Sequence, residues 1–151
     1  PHSFSLLSTG RISPSKGHDI VVHALGMVNN DEKQAGLTIL GSAIMDYDKP
    51  YEKELRALVD KPQHKGVVKI QSGIPHSEMK RIFNETDLFV HASSTGSIDK
   101  VVLEAMATET LVISSSEAFT DMLREVSSEF VVSERTPEAF AKRIEYVLSL
   151  S

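Results

Sequence analysis

The chain has 151 residues, 40% of them hydrophobic and 25% charged, with no cysteine and a formal net charge of -5. That length suits one domain burying roughly two-thirds of the surface its unfolded form exposes, and the composition excludes disordered, collagen-like and membrane classes. The acidic balance argues against a nucleic-acid partner, which needs a broad basic face, and the lack of cysteine removes disulfide frameworks and thiolate metal sites and suits a reducing compartment.

Short apolar runs alternate with helical patterns along the whole chain, as when parallel strands are joined by crossover helices. The first strand is expected over Phe4 to Ser8. The chain enters it almost at once, with no initial methionine and without the basic-then-apolar layout of a signal peptide, so a segment cut from a longer protein is expected. A polar loop, Thr9 to Gly17, then runs into a helix with Ile20, Val21, Ala24, Leu25 and Val28 on one face. A strand over Leu37 to Leu40 is followed by a helical stripe of Tyr51, Leu55, Leu58 and Val59. The third strand is Val67 to Ile70, and Met79, Ile82 and Phe83 form a shorter stripe before a fourth strand, Leu88 to His91.

Val102, Leu103, Met106 and Ala107 predict a helix buried on much of its surface. Strands are expected at Leu111 to Ile113 and at Phe130 to Val132. The last helix carries Phe140, Ile144, Val147 and Leu148, with Thr136 as its cap and Pro137 at its first position, where a missing N–H costs nothing. About six strands imply a Rossmann-like, doubly wound parallel sheet with helices on both faces. No linker, repeat or low-complexity tract divides residues 1–151, which are read as one domain. No apolar run approaches the roughly 18 residues of a transmembrane segment.

In such sheets ligands collect outside the carboxyl ends of the strands, among loops and helix N-termini. The loop Thr9-Gly10-Arg11-Ile12-Ser13-Pro14-Ser15-Lys16-Gly17 places two cations beside a helix start, where they could clamp a diphosphate; a solvated loop with incidental charges is the equal alternative. It is neither a Walker A motif nor a Gly-x-Gly-x-x-Gly fingerprint. In the loop and helix after the fourth strand, Glu104 interrupts an apolar helical segment and must be solvated or hydrogen-bonded, by a ribose diol or by a neighbouring group of the protein. The six histidines show no metal-ligand spacing, and His91 at the end of strand four is read first as a structural histidine. No Gly-x-Ser-x-Gly elbow supports a hydrolase.

The ordered pair "STGRISPSKGHDIVVHAL" and "LFVHASSTGSIDKVVLEAMATETLVISS", with Gly41 after strand two, Gly73-Ile74-Pro75 after strand three and Ala118 to Leu123, resembles the C-terminal domain of retaining GT-B glycosyltransferases of family 4, the group 1 type. The resemblance covers nearly the whole chain. It implies that Gly10, Arg11 and Lys16 meet the donor diphosphate, that Glu104 contacts ribose hydroxyls, that the backbone at Ile74 meets the base, and that Ser97, Ile98, Asp99 and Lys100 face the sugar. Arg11, Lys16 and Glu104 are the implied catalytic residues.

Two departures stand out. The family pairs two glutamates separated by seven residues, and the first falls on Gly96; its Glu-Gly-Phe-Gly run is Gly96-Ser97-Ile98-Asp99 here. Asp99 either substitutes for that carboxylate or caps the following helix, the cap being slightly preferred. Thr108-Glu109-Thr110-Leu111 replaces a Cys-Gly-Thr-Pro-like turn, which changes turn geometry more than chemistry.

The resemblance implies a domain that binds a nucleoside-diphosphate sugar for retaining transfer of the sugar to an acceptor, a sugar or lipid-linked glycan. No metal or other cofactor is expected. The acceptor site is expected on an N-terminal domain absent from this chain, without which the domain is inactive. The expected setting is cytoplasmic, with peripheral attachment to the inner face of a membrane through that missing domain as an option. The alternatives are a non-catalytic nucleotide-binding or interaction module of GT-B descent and another GT-B enzyme, such as a nucleotide-sugar epimerase or a phosphorylase.

Overall fold

The computed structural model describes residues 4–150; Pro1 to Ser3, with His2, and Ser151 lie outside them. Five parallel strands form one sheet in the order β3-β2-β1-β4-β5. They are β1 (Phe4–Thr9), β2 (Ala35–Leu40), β3 (Val68–Gln71), β4 (Leu88–His91) and β5 (Leu111–Ser114). Every residue of β4 is buried, as expected of a parallel strand covered on both faces. The register is continuous across the centre, with Leu6 beside Leu37 on one side and beside Leu88 on the other.

The helices are α1 (His18–Val28), α2 (Lys49–Val59), α3 (Met79–Asn84), α4 (Lys100–Ala107), α5 (Thr120–Val126) and α6 (Pro137–Leu148). From β1 the chain steps outward through β2 to β3, then crosses back to β4 and continues to β5. Right-handed crossovers therefore put α1 and α2 on one face and α3 and α4 on the other. The last helix, α6, returns to lie along α1. The core sits between sheet and helices: Val21, Val22, Ala24 and Leu25 of α1 and Phe140 and Ile144 of α6 are fully buried with Leu7, Ile39, Phe89 and Ile113.

The cap of α6 is as expected, since Thr136 Oγ1 accepts from Ala139 N at 3.2 Å and Pro137 follows it. The expected sixth strand is not formed. Ser128–Phe130 make a single 3-10 turn, with the Ser127 side chain accepting from Glu129 N, so Phe130 is taken out of the extended run. What remains is one parallel bridge, Ser114 to Val131, and a bond from Val132 N to Ser114 O at 2.9 Å. The helix α4 is less enclosed than expected: Val102 and Ala105 are buried, but Leu103 is 40% exposed.

Candidate functional site

The strand order reverses between β1 and β4, the place where ligands collect in open parallel sheets. The loop after β1 is held down by its backbone. Gly10 N donates to Leu40 O at 3.0 Å and Ile12 N to Ser42 O at 2.9 Å, so the loop crosses the end of β2. The crossing needs Gly41, where a Cβ would lie 2.0 Å from Gly10 O. Pro14–Lys16 form a 3-10 turn closed by Gly17, whose left-handed φ of 70° starts α1. A Cβ on Gly17 would meet Ala92 O at 2.5 Å, so this glycine also lets α1 approach the end of β4.

His18 locks the same loop from beneath. Its Nδ1 lies 2.8 Å from Ser8 Oγ and its Nε2 3.1 Å from Gly10 O. A carbonyl only accepts, so Nε2 carries the proton and the Ser8 hydroxyl donates to Nδ1. Burial pushes the His18 pKa down, which favours the neutral ring.

The loop after β4 meets the first loop at two points. Ser94 N donates to Ser15 O at 2.8 Å, and the Lys16 ammonium lies 3.7 Å from Asp99 Oδ1. The other carboxylate oxygen of Asp99 accepts from His91 Nε2 at 2.7 Å, and His91 Nδ1 lies 2.7 Å from Ser114 Oγ on β5. His91 is buried, which lowers its pKa, although the Asp99 hydrogen bond opposes the shift. The serine is also buried, so this Ser–His–Asp chain is an anchor for Asp99 and offers no accessible nucleophile. Asp99 occupies the N-cap position of α4 but makes no side-chain cap bond. The preferred reading of Asp99 as a cap is therefore corrected: Lys16 and His91 compete successfully for its oxygens.

The remaining sequence-predicted residues lie around this centre. Arg11 turns away from Lys16, with Nε 3.1 Å from Asp48 Oδ2 in the turn before α2. The contact is an ion pair without hydrogen-bond alignment, and Asp48 is almost completely buried. Gly96, Ser97, Ile98 and Lys100 are exposed, and a Cβ at Gly96 would meet nothing within 4 Å. Glu104 lies on the β3 side, half-buried, with Oε1 3.7 Å from His76 Nε2 in the loop that carries Ile74. A groove of about 300 Å³ runs between Glu104 of α4 and Thr108 just after it on one side and His76, Met79 and Phe83 on the other. A larger hollow of about 410 Å³ lies over the sheet at Ser5, Gly36, Thr38 and Lys69, away from these loops, so size does not mark the site.

The site thus has a central Lys16–Asp99 contact, an arginine on the β2 side and a carboxylate on the β3 side. Sequence reasoning missed Asp48, the His18 lock, and Arg135, whose Nε donates to Ala92 O at 2.7 Å and whose Nη2 donates to Pro14 O at 2.8 Å. Among the described residues no cluster of three metal-ligating side chains occurs, and no helix is long and apolar enough to cross a membrane.

The fold and the loops at its reversal define a Rossmann-like domain of the kind that forms the C-terminal half of GT-B proteins. The family model for glycosyl transferases group 1 matches residues 2–151, and the chain belongs to that family. It is 25% identical over 146 residues to a proposed colanic acid biosynthesis glycosyltransferase, WcaL, of Escherichia coli (strain K12), covering 92% of this chain and 34% of WcaL. The chain therefore spans about a third of the length of that relative. The fold is shared with the C-terminal domain of the glycosyl transferase group 1 protein LpcC from Francisella tularensis, with a TM-score of 0.86 at 20% identity over 99% of this chain and 77% of that one. It is also shared with Anabaena Alr3699/HepE, solved in complex with UDP-glucose, with a TM-score of 0.69 at 17% identity over 97% of this chain and 44% of that one.

Proposed function

We propose that this transferase domain binds a nucleoside-diphosphate sugar and presents it for transfer with retention to an acceptor held by a separate N-terminal domain. The observation that carries the reading is the position of Lys16. It stands just before α1, where the strand order reverses, with its ammonium beside the loop after β4. A diphosphate arriving there meets Lys16 and the N-terminal amides of α1, which stabilise the charge that builds as the glycosidic bond to phosphate breaks. Arg11 adds a second cation from the β2 side once it swings from Asp48. Glu104 lines the groove that receives the nucleoside, the backbone at Ile74 meets the base, and the Ser97 to Lys100 loop faces the sugar. The positive charge is supplied by side chains, so binding needs no divalent metal. A sugar-nucleotide complex of the similarly folded HepE supports the same ligand class.

Calorimetric titration of the chain with UDP, GDP and ADP, with and without chelator, tests this. Binding of at least one of them is expected, unchanged by chelation. Lys16→Ala is expected to weaken that binding ten- to a hundredfold, or roughly 1.5–3 kcal/mol for a lost charge-assisted contact, while the matching nucleoside binds as before. Equal losses for nucleotide and nucleoside would remove Lys16 from the diphosphate.

A further inference from the structure

We propose that Arg135 is a positioning residue of this site: its guanidinium ties the loop after β1 to the end of β4 across the reversal of the sheet, and thereby sets the backbone that receives the diphosphate. The inference rests on the reading of the site as a donor-diphosphate site. Arg135 belongs to neither loop. It lies between the bridged end of the sheet at Val131 and the first turn of α6, immediately before the cap Thr136, so its own backbone is held by the capped helix.

From there Nε reaches Ala92 O at 2.7 Å, at the exit of β4, and Nη2 reaches Pro14 O at 2.8 Å, in the turn before Lys16. Both bonds are short and charge-assisted, the stronger class of hydrogen bond. The planar fork of a guanidinium fixes the spacing between its acceptors, so one side chain dictates the distance between two loops. The close fit is visible at Gly17, where a Cβ would lie 2.5 Å from Ala92 O and 3.1 Å from Arg135 Nη2.

Two consequences reach the ligand. Each carbonyl shares a planar trans peptide with the next N–H, so holding Pro14 O and Ala92 O also fixes the directions of the Ser15 and Ser93 N–H groups. Arg135 has no carboxylate within 4 Å among the described residues, so its charge adds to that of Lys16 behind the start of α1. The direct backbone link between the loops, Ser94 N to Ser15 O at 2.8 Å, reports on the same geometry.

The test uses Arg135→Gln and Arg135→Lys in the chain as it stands. Amide hydrogen exchange of the free protein is the first readout. Ser94 N–H is expected to exchange at least about tenfold faster in Arg135→Gln, with Leu37 and Ile39 in the sheet unchanged, and Arg135→Lys, which reaches one carbonyl, is expected to lie between. The second readout is calorimetry with UDP, GDP and ADP and their nucleosides. Arg135→Gln is expected to weaken the nucleotide about five- to twentyfold and the nucleoside less than twofold, with partial recovery in millimolar guanidinium against a sodium chloride control. A folded Arg135→Gln protein with parental Ser94 exchange and parental nucleotide affinity would overturn the inference. Protection lost evenly across the sheet in both variants would overturn it too, by making Arg135 a general structural residue. If the parent binds none of the nucleotides, the donor-site reading fails, while Ser94 exchange still decides whether Arg135 holds the two loops.

Discussion

His18 is fully buried, and both of its ring nitrogens are occupied by Ser8 and Gly10. A second proton on the ring has nowhere to go without breaking the bond from the Ser8 hydroxyl. Its pKa is lowered chiefly by burial, and His64 and His91 shift in the same direction for the same leading reason. An unfolded histidine titrates near about 6.5, so the unfolded chain takes up protons before the folded one does. Stability is therefore fully present above about pH 6.5 and falls as the pH drops from there toward the depressed folded values. Urea denaturation between pH 7.5 and 5.5 is expected to show that decline. In His18→Gln the slope should shrink by up to one proton, about 1.4 kcal/mol per pH unit. An unchanged slope in the variant would mean that His18 does not contribute to the linkage.

Between α4 and β5 the turn contains Glu109, the non-glycine residue of the described chain with a positive φ, at 61°. The family resemblance points to glycine at this place, and Glu109 holds the left-handed conformation that glycine adopts freely. Glu109 N bonds Met106 O and Thr110 N bonds Ala105 O, both at 3.0 Å, and these bonds hold the end of α4 closed. A side chain in the left-handed region costs roughly 1–2 kcal/mol, part of which glycine returns through its greater freedom when unfolded. Because the Glu109 side chain is exposed, Glu109→Gly loses no packing. It is expected to raise stability by about 1 kcal/mol, read as a rise in Tm of about 3 °C. A lower Tm would show that the Glu109 side chain makes a favourable contact in solution. The same scale explains the missing sixth strand: Ser127 caps a turn that uses Phe130, so of the expected run Val131 and Val132 alone are left to meet the sheet.

At the scale of the whole molecule, the described site gathers Lys16, Arg11 and the groove beside Glu104 on one domain only. Ile44, Tyr47 and Ile98, on the loops at the carboxyl ends of the strands, are exposed. Transfer by a two-domain architecture needs closure around the donor, which also excludes water. The purified chain is therefore expected to bind nucleotide yet give no acceptor-dependent transfer, assayed with labelled nucleotide sugars and mixed acceptors. Slow hydrolysis of the donor is compatible with an open site; robust transfer to an acceptor would place the acceptor site within these residues.

The alternation of apolar runs and helical stripes was enough to define the parallel α/β class, five of the strands and the cap of α6, because those features depend on neighbours within a few residues. The ordered loops likewise identified the family and singled out Lys16, Asp99 and Glu104 as residues of interest. Their pairings were beyond local pattern. Asp99 reads as a helix cap in one dimension and becomes the partner of Lys16 and His91 only when β1, β4 and β5 lie side by side. Arg11 finds Asp48, and Arg135 finds Pro14 and Ala92, across 37, 121 and 43 residues of sequence for the same reason. Short-range periodicity selects the elements, whereas the partners of a charge are chosen by the strand order that brings distant loops together.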